Sequence, residues 1–269
     1  VGAGHLGRAA TRAFSGAGAT VLVLDRSLSA LEAVETAVIV VSAVNGIEPM
    51  TQRMMDFARA RGLCRLIVVN KIDAREARTE QVLAELRETF GKSCLPLNLP
   101  AEGGASVVDC FFQSQGKPTD FSSVAAAHTE IIDQVVEVDE KLMALYLEQG
   151  EISPEELHAP FEKALREGHL VPVCFVSAKT GAGVAELLDV IVKLLPNPAE
   201  GNAPVYHQQD AGGAAFTELS ALPDPGLHAL AHVFKVEIDP YIGRLAVFRV
   251  HQGRITPGTH LYIGEGRKP

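Results

Sequence analysis

Short apolar runs alternate with amphipathic stretches along the first two thirds of the chain. The runs predict buried strands at Thr20–Leu24, Ala37–Ser42, Leu66–Asn70 and Val171–Val176. Strands that are apolar throughout and separated by helices are typical of parallel sheets covered on both faces, so the pattern predicts an α/β fold. Helical spacing of apolar residues predicts covering helices at Pro49–Arg61 and Val184–Leu195.

The region from Ala74 to Gly168 breaks this alternation. Helical stretches are predicted at Glu80–Thr89 and Glu130–Gln149, whereas Leu99–Ser123 is rich in Gly, Pro and Ser and has no strong period. We therefore expect an inserted α+β subdomain, at about residues 75–168, rather than a separate fold.

The period changes again in the last quarter of the chain. Asn197–Pro225 is rich in Pro, Gly and Asp, which is typical of a linker. After it, strands are predicted at Ala229–Ile238, Arg244–His251 and Arg254–Ile263, with turn residues between them. Three strands cannot close a barrel, so a truncated β-barrel module is expected. The expected boundaries are 1–27 for a βαβ fragment, 28–199 for the sheet domain, 200–228 for the linker and 229–269 for the β module.

Composition and charge exclude several kinds of partner. The net charge is −9, and an acidic chain does not bind DNA through bulk electrostatics. No apolar run reaches the roughly 18 residues that span a bilayer, so neither DNA nor a membrane is expected as a partner. The four cysteines lie far apart without a C-x-x-C pair, which predicts free thiols and no metal site. The start of the chain has no signal-peptide pattern. Because the first residue is Val1, we expect that the native N-terminus was removed.

Two polar segments follow predicted strands directly. Asn70-Lys71-Ile72-Asp73 comes after the first of these strands, and Ser177-Ala178-Lys179 comes after the second. Ligands bind at the carboxyl ends of strands in open α/β sheets, so both segments are candidates for one binding site.

The residue types in these segments suit a guanine base. A carboxylate at Asp73 can accept hydrogen bonds from the guanine N1–H and N2–H₂ groups, which adenine lacks. The Lys71 stem can cover one face of the base, Asn70 can tie the neighbouring loops together, and the Ala178 N–H can donate to the guanine O6. In the alternative interpretation Asp73 only caps the following helix and Lys71 is a solvated surface residue.

At these residues the chain resembles the elongation factor G family, from about residue 28 to Pro269. The N-K-I-D segment is similar to the family's base-reading motif, and the 104 positions from Asp73 to Ser177 match the family's inserted subdomain. Further resemblance is carried by SALEAVETAVIVVSAVNGIEPMTQRMMDFARARGL, GHLVPVCFVSAKTGAGVAELLDVIVKLLPNP and ALAHVFKVEIDPYIGRLAVFRVHQGRITPGTHLY. The resemblance implies a cytoplasmic translational GTPase that binds GTP or GDP with Mg²⁺ and drives translocation on the ribosome. Asn70, Lys71, Asp73, Ser177, Ala178 and Lys179 would read guanine.

The sequence departs from that family in the parts that hold phosphate. No G-x-x-x-x-G-K-[ST] run occurs in it, and the first switch and the D-x-P-G-H segment that positions the attacking water are also absent. We therefore expect negligible GTP hydrolysis by this chain and no catalytic residue in it.

A glycine-rich turn stands at the beginning instead. Gly2, Gly4 and Gly7 form G-x-G-x-x-G, followed by a helix-like run, the strand TVLVL and Asp25. That spacing suits a dinucleotide-binding turn, with Asp25 on a ribose hydroxyl. The first 30 residues or so resemble the NAD-binding turn of alanine dehydrogenase, so we interpret the chain as a chimaera joined near Asp25–Ala30. Two further hypotheses follow, an NAD-binding oxidoreductase fragment and a non-catalytic ribosome-binding piece.

Overall fold

The computed structural model describes residues 35–149, 152, 154–197, 200, 205–209 and 216–261. The chain divides into two units, Val1–Asn202 and Ala203–Pro269. The predicted strand Thr20–Leu24 and the predicted βαβ fragment lie outside the described residues.

Six strands and six helices of the first unit are described. The strands are β1 (Thr36–Ser42), β2 (Cys64–Asn70), β3 (Cys94–Pro96), β4 (Asn98–Ala101), β5 (Ser106–Asp109) and β6 (Val171–Val176). The helices are α1 (Pro49–Ala60), α2 (Thr79–Phe90), α3 (Val124–Val136), α4 (Glu140–Gln149), α5 (Pro154–Glu167) and α6 (Val184–Leu194). The strands predicted at 37–42, 66–70 and 171–176 and the helices predicted at 49–61 and 184–195 are thus confirmed to within two residues at each end.

Four strands form a parallel sheet in the order β1-β2-β6-β3. The buried residues of β2 alternate between two hydrophobic clusters, because successive side chains of a strand point to opposite faces. Leu66 and Val68 pack in the cluster that includes α3, α5 and α6. Ile67 and Val69 pack in the cluster that includes α1 and α2. Helices on both faces of a parallel sheet confirm the predicted α/β fold class.

A buried amide links the β4–β5 hairpin to the main sheet. β4 and β5 form an antiparallel hairpin, in a stretch where the sequence shows no clear period. The Asn98 side chain, in β4, donates to the Phe175 carbonyl at 3.1 Å and accepts from the Phe175 N–H at 2.7 Å. The amide therefore completes the hydrogen bonding of β6 at that point and ties the insertion to the sheet.

The helical stretch predicted at Glu130–Gln149 is two helices, α3 and α4. They are separated at residues 137–139, where the Asp139 carboxylate accepts from the Lys141 and Leu142 N–H groups at 2.9 and 3.2 Å. Such a carboxylate satisfies the first N–H groups of a helix, so Asp139 begins a new helix rather than continuing the old one. Among the helices that the structure describes, none has the length and apolar character that crossing a bilayer requires.

Two antiparallel strand pairs are described in the second unit. Its strands are β7 (Val205–Gln209), β8 (Phe216–Ser220), β9 (Leu230–Asp239) and β10 (Gly243–Gln252), and they pair as β7–β8 and β9–β10. The first pair lies within 200–228, where the sequence predicts a linker because Gly and Pro between short strands resemble a linker in composition. The strand predicted at Arg254–Ile263 is not formed over 254–261, the part that the structure describes.

Candidate functional site

Two loops meet at the carboxyl ends of β2 and β6. The strands pair in parallel with Asn70 opposite Val176, so the residues that follow each strand leave the sheet side by side. The Ile72 N–H donates to the Val176 carbonyl at 3.3 Å, which holds the first loop against the end of the second strand. The candidate residues that the structure brings together here are Asn70, Lys71, Asp73, Ser177, Ala178 and Lys179.

The Asn70 side chain links the two loops. Its Oδ1 accepts from the Lys71 N–H at 2.8 Å and from the Ala178 N–H at 3.0 Å. Asn70, which is predicted to tie the neighbouring loops together, thus contacts the backbone of both. The Ala178 N–H, which is predicted to donate to a guanine O6, donates to the Asn70 Oδ1 in this structure. The cause is the strand register, which places Ala178 two residues beyond the partner of Asn70 and within reach of its side chain.

The Asp73 carboxylate is held by residues of the second loop. Its Oδ1 accepts from the Ser177 hydroxyl at 2.6 Å, and Ser177 is fully buried. Its Oδ2 lies 4.0 Å from the Lys179 ammonium, and the Asp73 side chain is 16% exposed. A carboxylate has about four lone-pair positions, so Asp73 can accept further hydrogen bonds from a ligand. Helix capping does not account for Asp73, because α2 begins six residues later, at Thr79.

The two lysines of the candidate set are on the outside of the loops. Lys71 has a φ of 70°, an unusual backbone conformation for a residue that is not glycine. It is exposed, and the Lys179 side chain is 81% exposed. Both stems are therefore free to lie over a planar ligand held between the loops.

The second loop is a tight turn closed by its own backbone. The Gly181 N–H donates to the Ser177 carbonyl, and the Ser177 N–H donates to the Ala182 carbonyl, both at 2.8 Å. The Ser177 Oγ also accepts from the Thr180 N–H at 3.1 Å. Gly183 has a φ of 73°, and a side chain there would overlap the Phe175 carbonyl oxygen. The turn is thus fixed before any ligand binds.

The inserted hairpin supports the first loop, which sequence reasoning did not predict. A Cβ added at Gly104 would overlap the Ile72 carbonyl oxygen, so the β4–β5 turn packs directly on the backbone beside Asp73. The Asp120 carboxylate fixes this turn by accepting from the Gly103 and Gly104 N–H groups, each at 2.9 Å. The only sequence signal is the Gly-Gly pair, and it does not reveal which loop the turn touches.

A possible metal-ligand group lies elsewhere in the first unit. His158, Glu162 and Glu200 offer ligand atoms within 4.8 Å of one another. The two carboxylates already have partners, since Glu162 pairs with Arg166 at 3.0 Å and Glu200 accepts from the Asn197 N–H at 2.9 Å. This group is not part of the two-loop site.

The N-terminal dinucleotide prediction is outside the described residues. Gly2, Gly4, Gly7 and Asp25 all precede Glu35, the first described residue. NAD binding and the chimaeric junction therefore stay predictions.

Comparison with known proteins points to one family. Residues 24–197 match the family described as elongation factor Tu GTP binding domain, a match that begins close to the predicted junction. Elongation factor G from Fervidobacterium nodosum is 31% identical over 256 residues, covering 88% of this chain and 36% of that protein. A crystal structure of a protein from Thermus thermophilus is 31% identical with a TM-score of 0.66, covering 86% of this chain and 34% of that one. The chain thus spans about a third of the length of these relatives.

Proposed function

We propose that the loops at 70–73 and 177–179 recognise the base of a guanine nucleotide. The chain belongs to the family of elongation factor Tu GTP-binding domains. The observation that carries the proposal is the hydrogen bond from Ser177 to Asp73, which presents a partly exposed carboxylate between the two loops.

The selectivity would come from Asp73. Its carboxylate accepts from the N1–H and N2–H₂ groups of guanine, whereas adenine has no donor at N1 and none at C2. Binding adenine would leave a largely buried carboxylate without these partners, which costs binding free energy. Lys71 and Lys179 would cover the faces of the base with their stems. Asn70 holds the two loops at the separation that the base requires.

The relatives indicate the kind of protein to which the chain would belong. The chain would be part of a translation factor that works with guanine nucleotide on the ribosome, in the cytoplasm. The 269 residues contain no G-x-x-x-x-G-K-[ST] run, which supplies the phosphate cradle and the Mg²⁺-binding hydroxyl in this class of protein. We therefore expect this polypeptide by itself to recognise the base but to hydrolyse GTP negligibly. Much of the affinity for a nucleotide comes from its phosphates, so binding is expected to be weak.

The test is a fluorescence titration of the full chain with labelled GDP and labelled ADP. We expect a preference for GDP of about tenfold, since the two nucleotides differ in the donors that face Asp73. Asp73→Asn should remove this preference and strengthen binding of xanthosine diphosphate. Xanthine carries a carbonyl where guanine carries N2–H₂, and an Asn amide can donate to it.

Asp56→Asn is the matched control, because this substitution removes the same charge from an exposed carboxylate on α1. It should leave all three affinities unchanged. Equal affinity of the unmodified chain for GDP and ADP would contradict the proposal. So would an Asp73→Asn variant that loses GDP binding without any gain for xanthosine diphosphate.

A further inference from the structure

A cationic pocket lies at the opposite edge of the sheet from the two loops. Its volume is about 280 Å³, and residues that precede or begin β2, β3 and β6 line it. Strands of six or seven residues separate the two edges, a distance of about 20 Å. The pocket is therefore separate from the proposed guanine site.

Three arginines from three elements line this pocket. Arg59 is in the last turn of α1, Arg65 is the second residue of β2, and Arg166 is near the end of α5. Glu167, which lies 3.5 Å from the His169 ring, is also in the lining, so the lining has a net charge of +2 in a chain whose net charge is −9. Random surface charge on an acidic chain does not predict such a concentration of guanidinium groups.

Two of the three arginines have no acidic partner among the described residues. Arg166 pairs with Glu162 at 3.0 Å. Among the described residues, neither Arg59 nor Arg65 has a carboxylate within 4.0 Å. Arg65 is half-buried, and burial lowers the pKa of its guanidinium; the nearby Arg59 lowers it further, whereas Cys94 and Cys64 act in the opposite direction. An anion between the two groups would relieve both the burial cost and the mutual repulsion.

The backbone holds Arg65 in place. Its Nη2 donates to the Gly168 carbonyl at 3.4 Å. Gly168 has a φ of +77°, and a Cβ there would come within 2.8 Å of the same Nη2. A glycine at this position therefore gives the guanidinium room, and the carbonyl directs it along the wall of the pocket.

We propose that this pocket binds a small phosphate-type oxyanion, such as inorganic phosphate or pyrophosphate. Planar guanidinium groups donate two parallel hydrogen bonds to phosphate oxygens, and the Ser93 hydroxyl in the lining adds a donor. The lining keeps a net positive charge even with Arg166 paired to Glu162, which is complementary to a phosphate group carrying about −1.5 to −2 at neutral pH. The volume is near the lower end of the roughly 300–1,000 Å³ of pockets for drug-sized ligands, so the pocket has room for phosphate or pyrophosphate.

Calorimetric titration of the full chain with phosphate and with pyrophosphate tests this at constant ionic strength. We expect saturable binding at one site, with chloride giving none. Arg59→Gln and Arg65→Met should each weaken binding about tenfold, because each removes charge-assisted hydrogen bonds. Pyrophosphate binding more tightly than phosphate would identify a polyphosphate as the ligand type, and equal affinities would identify a single phosphate; either result supports the site.

Arg53→Gln is the matched control, since Arg53 is an exposed arginine of α1 outside the pocket. It should change the affinity less than twofold, a small effect expected of distant surface charge. Arg59 is exposed, so Arg59→Gln decides the result if Arg65→Met does not fold. Equal loss in Arg53→Gln and Arg59→Gln, or no saturable binding, would overturn the proposal. Asp73→Asn should retain phosphate binding, so that failure of the guanine site can be distinguished from failure of the phosphate site.

Discussion

The Ser177 hydroxyl donates a 2.6 Å hydrogen bond to the Asp73 carboxylate across 104 positions of sequence. Ser177 is fully buried at the end of β6, and Asp73 lies in the loop after β2. The bond fixes Asp73 Oδ1, and Oδ2 lies 4.0 Å from the Lys179 ammonium. The segment between these two residues includes strand β3 of the sheet as well as the β4–β5 hairpin, so the site depends on the folding of both.

Ser177→Ala is expected to weaken the preference for guanine severalfold, because Asp73 loses the bond that orients it. The Thr180 N–H also loses its acceptor, so the free energy of unfolding should fall by about 1–3 kcal/mol. Nucleotide titration and urea unfolding measure the two effects.

Ser114→Ala serves as the control for this prediction, since Ser114 is exposed within the insertion. A double-mutant cycle with Asp73→Asn should show clear coupling in guanine affinity. Strictly additive effects of the two substitutions would show that Ser177 does not act through Asp73.

Gly104→Ala should be far more harmful than Gly103→Ala, although the two glycines have similar φ angles of 78° and 68°. Both substitutions place a side chain in the left-handed region, at a cost of about 1–2 kcal/mol. At Gly103 the new Cβ meets nothing within 4 Å, whereas at Gly104 it overlaps the Ile72 carbonyl oxygen. Gly104→Ala should therefore also displace the loop that carries Asp73.

Urea unfolding and GDP titration of both variants check this comparison. Gly103→Ala should reduce stability modestly and leave the nucleotide affinity unchanged. Gly104→Ala should reduce both. The same GDP affinity in the two variants would mean that the hairpin turn does not support the guanine loop.

The sequence predicted the strands of the sheet better than the long-range contacts that hold the neighbouring loops and hairpin in place. β2 and β6 are apolar throughout because both faces of the sheet are covered, and this leaves a direct signal in the sequence. The approach of Asp73 to Ser177 also follows from the rule that parallel strands end at the same edge. The Asn98 amide bond to Phe175 and the packing of Gly104 on Ile72 join segments far apart in sequence, and no local pattern reports such contacts.

Asp109 and Asp139 should change stability with pH in opposite directions. Burial raises the pKa of Asp109, although the Phe112 N–H donates to it at 2.6 Å. Its folded pKa lies above the unfolded value of about 3.9, so it destabilises the protein increasingly as pH rises through the folded pKa. Hydrogen bonds from the Leu142 and Lys141 N–H groups lower the pKa of Asp139, so its contribution is present above the unfolded pKa and is lost as pH falls.

Unfolding of Asp109→Asn and Asp139→Asn, followed by circular dichroism from acidic to neutral pH, tests these signs. Relative to the unmodified chain, Asp109→Asn should become more stable as pH rises above about 4, because Asn keeps the acceptor for Phe112 without the buried charge. Asp139→Asn should become relatively less stable over the same range. A parallel pH dependence of the two variants would contradict the assigned causes.

The four cysteines should resist alkylation while the chain is folded. All are buried free thiols. Burial raises the pKa of Cys64 and Cys94 to about 11 and that of Cys110 to about 12, and it raises the pKa of Cys174 further. The thiolate is the reactive form, and an unfolded cysteine has a pKa of about 8.5. Near pH 8, iodoacetamide should therefore label the folded chain roughly 100-fold more slowly than the chain in denaturant.

Mass spectrometry counts the adducts, and four should form quickly in denaturant. Rapid labelling of Cys174 in the folded chain would mean that β6 is not packed between the two hydrophobic clusters.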